Sequence, residues 1–413
     1  MGTDRRGPGG PSHVVLPGGP RRVLPGRRAG LSARPGTGCR RTVARVGRRR
    51  TGAARRWAAV GGGVAVLLAL PPLIGALPAS DAGTSAADLR RAALDSTGVA
   101  FAGYAQAAGG LALPVGEQLT GVADLLSDRT TMRTWYRGVG DWRVDVVSPT
   151  GETGVHADAS GTWTWDYVAN AATRTADTAL ALPSAPDLLP SALGRRLLSE
   201  AGDAELSRFG ADRVAGRDAL GLRVVPAEES ASVGRVDVWV DAASGLPLRV
   251  QVFGAAGGEP AVDTSFLELD LTTPPAEVVD FAVPAAAGIR EGQAPQLLLA
   301  ATRGTRDSTL VLPAALAGLD RRTIEGAPAR VGVYGRGVTL LTVGALPGRA
   351  SDGLRTALAG APGAVVDDLG VRIAAGPLGL MLADGPDGAV LLTGTVTLDA
   401  LAAAATELTG EAP

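Results

Sequence analysis

The stretch TTMRTWYRGVGDWRVDVVS, residues 130–148, decides the fold. Polarity alternates residue by residue on both sides of a Gly138–Gly140 turn, so it reads as two strands joined by a tight hairpin. Trp142, Val144 and Val146 point one way, Arg143 and Asp145 the other. The same period of two begins upstream at Val99–Gln106 and continues downstream through Thr153–Asp158 and Thr162–Val168. Pro149-Thr150-Gly151 and Ser160-Gly161 supply the turns. Short links between alternating strands make antiparallel neighbours in a meander.

Working outward, Ala86–Ser96 has helical spacing, with Leu89, Ala92, Ala93 and Leu94 on one side. A Pro-punctuated segment, Leu182–Pro190, leads into a second helix predicted over Ser191–Ser207, with Ser191 as N-cap. Strands then resume at Phe209–Ala215, Ala219–Pro226, Gly234–Asp241, Leu246–Phe253 and Asp263–Leu271. Val236, Val238 and Val240 alternate against Arg235, Asp237, Trp239 and Asp241; Leu248, Val250 and Val252 against Arg249 and Gln251; Leu267, Leu269 and Leu271 against Glu268 and Asp270. Trp163, Trp165 and Tyr167 oppose Thr162, Thr164 and Asp166. About ten strands therefore share one apolar and one solvated face, interrupted by a helical insertion. Two helices cover only part of such a face, which leaves room for an apolar cavity. Parity puts Trp142, Val144, Trp163, Trp165, Val238, Val250 and Leu269 on its lining. Trp239 falls on the opposite face as a contact residue.

Phe281–Pro295 is rich in Ala, Pro and Gly and sets a linker over 285–300, between a half-sheet domain (85–284) and a smaller α+β domain (301–410). In the latter, strands are predicted near Thr309–Leu312, Ala329–Tyr334, Val338–Val343, Ala364–Val366, Val371–Ala375, Gly379–Ala383 and Val390–Thr393. Helices are predicted at Ser351–Leu358 and at Leu398–Leu408, the second capped by Thr397. The fold class is thus α+β.

The N-terminal region is of another kind. Residues 1–57 carry fifteen Arg and one acid, Asp4, a balance of +14, whereas the remainder balances to −15. Ala58–Leu77 contains no charge in twenty residues, the length that spans a hydrocarbon core of ~30 Å. With Arg crowding one flank and Trp57 at the interface, the positive-inside rule puts residues 1–57 in the cytoplasm as a disordered tail and the bulk outside. Residues 58–78 read as a single-pass anchor, with a cleaved signal segment as the alternative, since Pro71-Pro72 breaks the helix. The acidic outer part argues against nucleic acid as partner. The one cysteine, Cys39, lies in the tail, so the outer domains have no disulfide.

The chain offers little chemistry. Of two histidines, His156 sits on a strand among Ala, Asp and Val and cannot form a zinc site alone. No HExxH, CxxC, G-x-S-x-G or P-loop occurs. Asp367-Asp368 reads as a turn. The expectation is a binding protein without cofactor or metal, not an enzyme. Five of the six Trp fall in the first sheet, where they fill a core built from Ala and Val or line a cavity.

The first helix, the meander with Trp135–Val147, the helical interruption and the hairpin Asp241-Ala242-Ala243-Ser244-Gly245-Leu246-Pro247-Leu248-Arg249 together resemble the LolA/LolB superfamily. Trp135–Tyr136, Asp141–Val146 and Gly161–Trp165, with the C-terminal Asp384–Thr397 hairpin and closing helix, are most similar to its RseB/MucB-like, sigma-factor-regulatory branch in high-GC Gram-positive bacteria. The resemblance covers residues 85–410 and rests on structural, not catalytic, strings. It implies an unclosed antiparallel β-barrel with a helical lid, whose concave face shelters acyl chains of a lipid or lipoprotein. It also implies a second, smaller domain and, as an alternative role, contact with the outer part of a membrane-bound anti-sigma factor. A structural adaptor with a filled sheet is the third reading. The anchor and Arg-rich tail depart from the soluble carriers of that superfamily.

Overall fold

The computed structural model describes residues 56–62, 64, 79, 81, 83–110, 129–148, 151–159, 161–175, 183–291, 310–328, 331–346, 348–385 and 388–410. The chain separates into a unit Met1–Leu67 and a unit Leu68–Pro413. In the first, residues 56–62 are helical; the rest of the Arg-rich tail and most of the 58–78 segment lie outside the described residues. Among the described residues no helix is long and apolar enough to cross a membrane.

The second unit is mostly sheet. It opens with α1 (Ala86–Asp95), whose N-cap Ser85 accepts a hydrogen bond from the Asp88 backbone N–H. Six strands follow: β1 (Phe101–Gly109), β2 (Arg129–Gly138), β3 (Asp141–Ser148), β4 (Gly151–Asp158), β5 (Gly161–Asp166) and β6 (Ala171–Thr175). A 3₁₀ turn, Ala185–Leu188, and α2 (Pro190–Ser199) then carry the chain over to the far edge of the sheet. There β7 (Leu206–Val214), β8 (Arg217–Val224), β9 (Val233–Asp241), β10 (Pro247–Gly254) and β11 (Val262–Asp270) meander back until β11 pairs antiparallel with β1. After a short turn of helix, α3 (Ala276–Val279), β12 (Gly288–Glu291) adds to β6 in parallel. The twelve strands run β12-β6-β5-β4-β3-β2-β1-β11-β10-β9-β8-β7, an unclosed curved sheet. Bulges at Tyr104/Ala105, Tyr136/Gly138 and Arg208/Ala211 sharpen its twist.

Two differences from the sequence expectation have physical causes. α2 ends at Ser199, not Ser207: Gly202 follows, and the Glu205 carboxylate turns back to accept from the Gly202 N–H at 2.6 Å. And Gly288–Glu291, inside the expected linker, is a strand, because β6 leaves an unpaired edge that any extended segment can complete.

α1 and α2 lie on the inner face of this sheet. Arg90 of α1 donates to the Leu198 and Ser199 carbonyls at 2.8 and 3.0 Å, which satisfies the end of α2 and ties the helices together. Leu89, Ala93 and Leu198 pack on Leu220, Leu222, Val236, Val238, Val240 and Val250. Fully burying each such Val or Leu contributes about 1.5–3 kcal/mol. A buried Thr264 hydroxyl donates to the Leu188 carbonyl at 2.7 Å and pins the 3₁₀ turn to β11.

The smaller sheet is built from β15 (Val331–Arg336), β16 (Thr339–Leu346), β17 (Val365–Asp367), β18 (Gly370–Ala375), β19 (Leu378–Gly385) and β20 (Gly388–Gly394). Its order is β15-β16-β20-β19-β18-β17, antiparallel throughout, preceded by a small hairpin of β13 (Ala315–Leu316) and β14 (Leu319–Asp320). Neighbouring residues of β19 serve different cores. Met381 and Ala383 pack in the cluster of Leu401, Ala404 and Ala405 from α5 (Leu398–Thr409); Leu380 and Leu382 pack with Leu354 and Leu358 of α4 (Gly348–Ala359). Val338 reaches the core of the large sheet, and main-chain bonds join Ser232 to Thr395 and Thr397 to Ser230. Glu200 accepts from both Arg322 and the Gly337 N–H, and Arg336 reaches Glu205 and Glu228.

Candidate functional site

The register of the strands fixes what each face presents. Phe101, Tyr136 and Trp142 stand in one cross-strand row, and Gly103, Thr134 and Val144 in the next. Further round, Thr264, Val250 and Val238 are paired, with Leu222 beyond. This is the face that α1 and α2 cover.

The cover is uneven. Over β8–β10 the helices seal the face: Val238 and Val250 are 0% exposed. Over β2 and β3 the 3₁₀ turn and α2 stand off, leaving a cleft of about 230 Å³. Its floor is Thr134, Tyr136, Trp142 and Val144; its roof is Pro186, Leu189, Ala192 and Arg195. Val139, 83% exposed at the tip of the β2–β3 hairpin, stands at the rim. The Tyr136 hydroxyl donates to the Thr97 carbonyl at 2.8 Å, so its ring is held as a wall. Burial raises the Tyr136 pKa, and nearby Arg195 opposes that rise.

The outer face is charged and ordered by Arg–carboxylate pairs. Asp241 takes two bonds from Arg217 at 2.8 and 2.9 Å, Asp237 two from Arg223 at 2.6 and 2.7 Å, and Asp263 two from Arg249 at 3.0 and 2.6 Å. Such bidentate pairs fix geometry as well as charge. Burial raises the Asp241 pKa, but the Arg217 and Ser244 hydrogen bonds outweigh it and hold the carboxyl below its ordinary range. Trp239 is 9% exposed, with the Phe209 ring at 5.2 Å and the Arg249 guanidinium 5.1 Å above it.

The seven residues that parity put on one lining are not brought together. Trp142 and Val144 line the cleft. Val238 and Val250 share that face but lie in the sealed core. Leu269 packs at the edge of the neighbouring cluster and borders a second, open depression with Tyr104, Arg133 and Trp135. Trp163 and Trp165 belong to the outer face: Trp163 pairs with His156, which pairs with Arg143, and Trp165 pairs with Gly154, opposite Asp145. Their apolarity is met there by Phe281, 5.9 Å from Trp163, 6.2 Å from Trp165 and 4.5 Å from His156. A residue from beyond α3 thus covers a second apolar patch that alternation alone assigns to the first.

His156 is buried, with Nδ1 3.4 Å from the Val279 carbonyl, and burial pushes its pKa down. Among the described residues no grouping of three or more His, Cys, Asp or Glu could hold a metal.

Arg195 was not singled out by the sequence reading. The signal was present: Ser191, Arg195 and Leu198 form one i, i+4, i+7 stripe, and the first and last are 1% and 0% exposed. An arginine on a buried stripe departs from the amphipathic pattern.

Residues 174–283, from the end of β6 past β11, match the family model of the MucB/RseB N-terminal domain. Among solved structures the chain is similar to one from the Pseudomonas aeruginosa MucA/MucB complex, at 20% identity over 78% of this chain and 96% of that one, TM-score 0.44. It is also similar to a crystal structure of MucB, at 16% identity over 78% and 96%, TM-score 0.39. A LolA superfamily protein from Nitrosomonas europaea matches at 10% identity over 48% and 99%, TM-score 0.23. No curated protein matches the chain significantly. The resemblance to LolA/RseB-like proteins read from the sequence holds on the family match.

Proposed function

We propose that this chain is a membrane-tethered, extracytoplasmic binding protein that shelters an acyl chain of a lipid or lipoprotein in the cleft between α2 and strands β2 and β3. The observation that carries the reading is the uneven helical cover: the inner face is sealed over β8–β10 and open beside Trp142 and Val144. Loading requires that the 3₁₀ turn and the start of α2 move, which breaks the Thr264–Leu188 hydrogen bond, while Arg90 holds the other end of α2. The charge break at Ala58–Leu77 is what supports the tether.

Magnitudes limit what the cleft does alone. A volume of about 230 Å³ corresponds to roughly eight water-sized units of ~30 Å³. Eight methylenes at ~0.8 kcal/mol each give about 6 kcal/mol, against at least ~4 kcal/mol of lost freedom on association. Chain burial by itself therefore yields affinity weaker than about 1 mM, and a second anchoring contact is needed.

The family match over 174–283 favours a second reading, in which the same unit regulates an anti-sigma factor through protein–protein contact alone. Native mass spectrometry of the full chain, extracted from its membrane, separates the readings. A co-purifying lipid-mass adduct on the wild-type protein, absent from Ala192→Phe, supports the sheltered chain. A protein without adduct that also ignores added fatty acid rules the cleft out and leaves protein contact.

A further inference from the structure

Among the described residues, Arg195 makes no ion pair, although it is half-buried at the cleft. Its one hydrogen-bond neighbour is the Ser96 Oγ at 3.5 Å, and its guanidinium stands 6.0 Å from the Tyr136 ring centre. The carboxylate that shares the cleft is already committed: Asp187 accepts from the Ser184 N–H and hydroxyl, both at 2.8 Å. The Thr97 carbonyl is taken by Tyr136. Buried charges are ordinarily paired, and elsewhere on this sheet the Arg side chains at 217, 223 and 249 each hold an Asp. A second polar group, on the floor, is likewise unspent. Thr134, 1% exposed, has its Oγ1 without a hydrogen-bond partner.

We infer that Arg195, with the Thr134 hydroxyl, recognises the acidic head of an amphiphile, a carboxylate or phosphate, whose alkyl chain lies against Trp142 and Val144. The inference rests on the reading of the cleft as an acyl site and supplies the second contact that site needs. The guanidinium accepts a planar or tetrahedral oxyanion in two parallel N–H···O bonds, and Thr134 donates a third. Burial without a counter-charge disfavours protonation of Arg195, so an arriving anion relieves an existing cost. Neutral amphiphiles offer no such relief. The ligand class is thus narrowed from any acyl chain to acidic, alkyl-bearing molecules.

The test uses the full chain in phosphatidylcholine nanodiscs and radiolabelled decanoate, decyl phosphate and decanol, with binding to protein-free nanodiscs subtracted. Both anions are expected to bind at least about tenfold more tightly than decanol. Arg195→Met should bring them to the level of decanol, and Arg195→Lys should restore part of the gap. The ratio of decanoate to decyl phosphate tells a fatty-acid head from a phospholipid-type head. Equal binding of anions and decanol by the wild-type chain overturns the role of Arg195 and leaves the acyl cleft standing; that comparison decides even if Arg195→Met fails to fold. Anion preference unchanged in folded Arg195→Met also overturns it. Absence of binding by all three probes overturns both.

Discussion

Gly194 of α2 lies so close to Pro247 of β10 that a Cβ built on it would stand 2.6 Å from the Pro247 Cβ. The ring of a proline cannot swing aside, and Val250 Cγ2 is only 3.3 Å from the same point. This contact sets how deeply α2 seats over the sheet, and hence where the seal ends and the cleft begins. Gly194→Ala gains about 1 kcal/mol of helix propensity but overpacks the contact at a cost of roughly 1–3 kcal/mol. The net expectation is a lower denaturation midpoint in urea; a rise would show that α2 is not seated against Pro247.

Asp241 closes the β9–β10 hairpin and pairs β8 to β9. It accepts two bonds from Arg217 and two from the Ser244 N–H and hydroxyl, at 2.8 and 2.6 Å, while 1% exposed. Asp241→Asn keeps the shape and removes the charge, so it should cost about 2–3 kcal/mol, discounted because Arg217 is partly solvated. Arg217→Met should cost more than Asp241→Asn, since it leaves a buried carboxylate without its counter-charge, whereas the Asn amide oxygen still accepts from Ser244. The comparison is made by equilibrium unfolding of the two variants.

His156 predicts a pH window. Burial holds its pKa below the ordinary value of 6.5, so between those two values the unfolded chain binds the additional proton. Stability therefore rises with pH in that window and is lost as pH falls below about 6.5. Asp241, whose carboxyl is held down, loses its contribution only at lower pH, below its ordinary value of 3.8. Melting temperature measured from pH 7 to 5 should fall for the wild-type chain and fall less for His156→Gln. Parallel curves would show that His156 is not the group responsible.

Arg336 joins the smaller sheet to the large one through Glu205, which is 6% exposed at its side chain and also accepts from the Gly202 and Ala227 N–H groups. Burial raises the Glu205 pKa, but these bonds outweigh it and lower the carboxyl. Arg336→Met leaves the two main-chain donors and should destabilise by about 1–2 kcal/mol. Hydrogen exchange should accelerate at Ser232 and Thr397, whose amides bond across the junction. Unchanged exchange there would mean that the main-chain bonds hold the junction alone.

Much of the fold is legible in alternation. Val236, Val238 and Val240 are each 0% exposed and face the helices, as their spacing against Arg235, Asp237 and Trp239 requires. Thr397 caps the last helix by accepting from the Ala400 N–H. What alternation does not encode is which face an apolar residue serves when both faces are covered. Trp163 and Trp165 have the period of an inner row yet meet Phe281 on the outer side, a contact made across more than a hundred residues. For the same reason β12 was invisible, since Gly288–Glu291 becomes a strand only through the free edge of β6. The cleft was half legible: Trp142 and Val144 follow from parity, whereas Arg195 required knowing that its stripe on α2 faces the sheet.

The most direct measurement is photolabelling of the full chain with a diazirine-bearing fatty acid, followed by peptide mapping. The account predicts labels on 134–144 and 186–195, the floor and roof of the cleft, suppressed in Ala192→Phe. Labels confined to Trp163, Trp165 and Phe281, or to the smaller sheet, would contradict it.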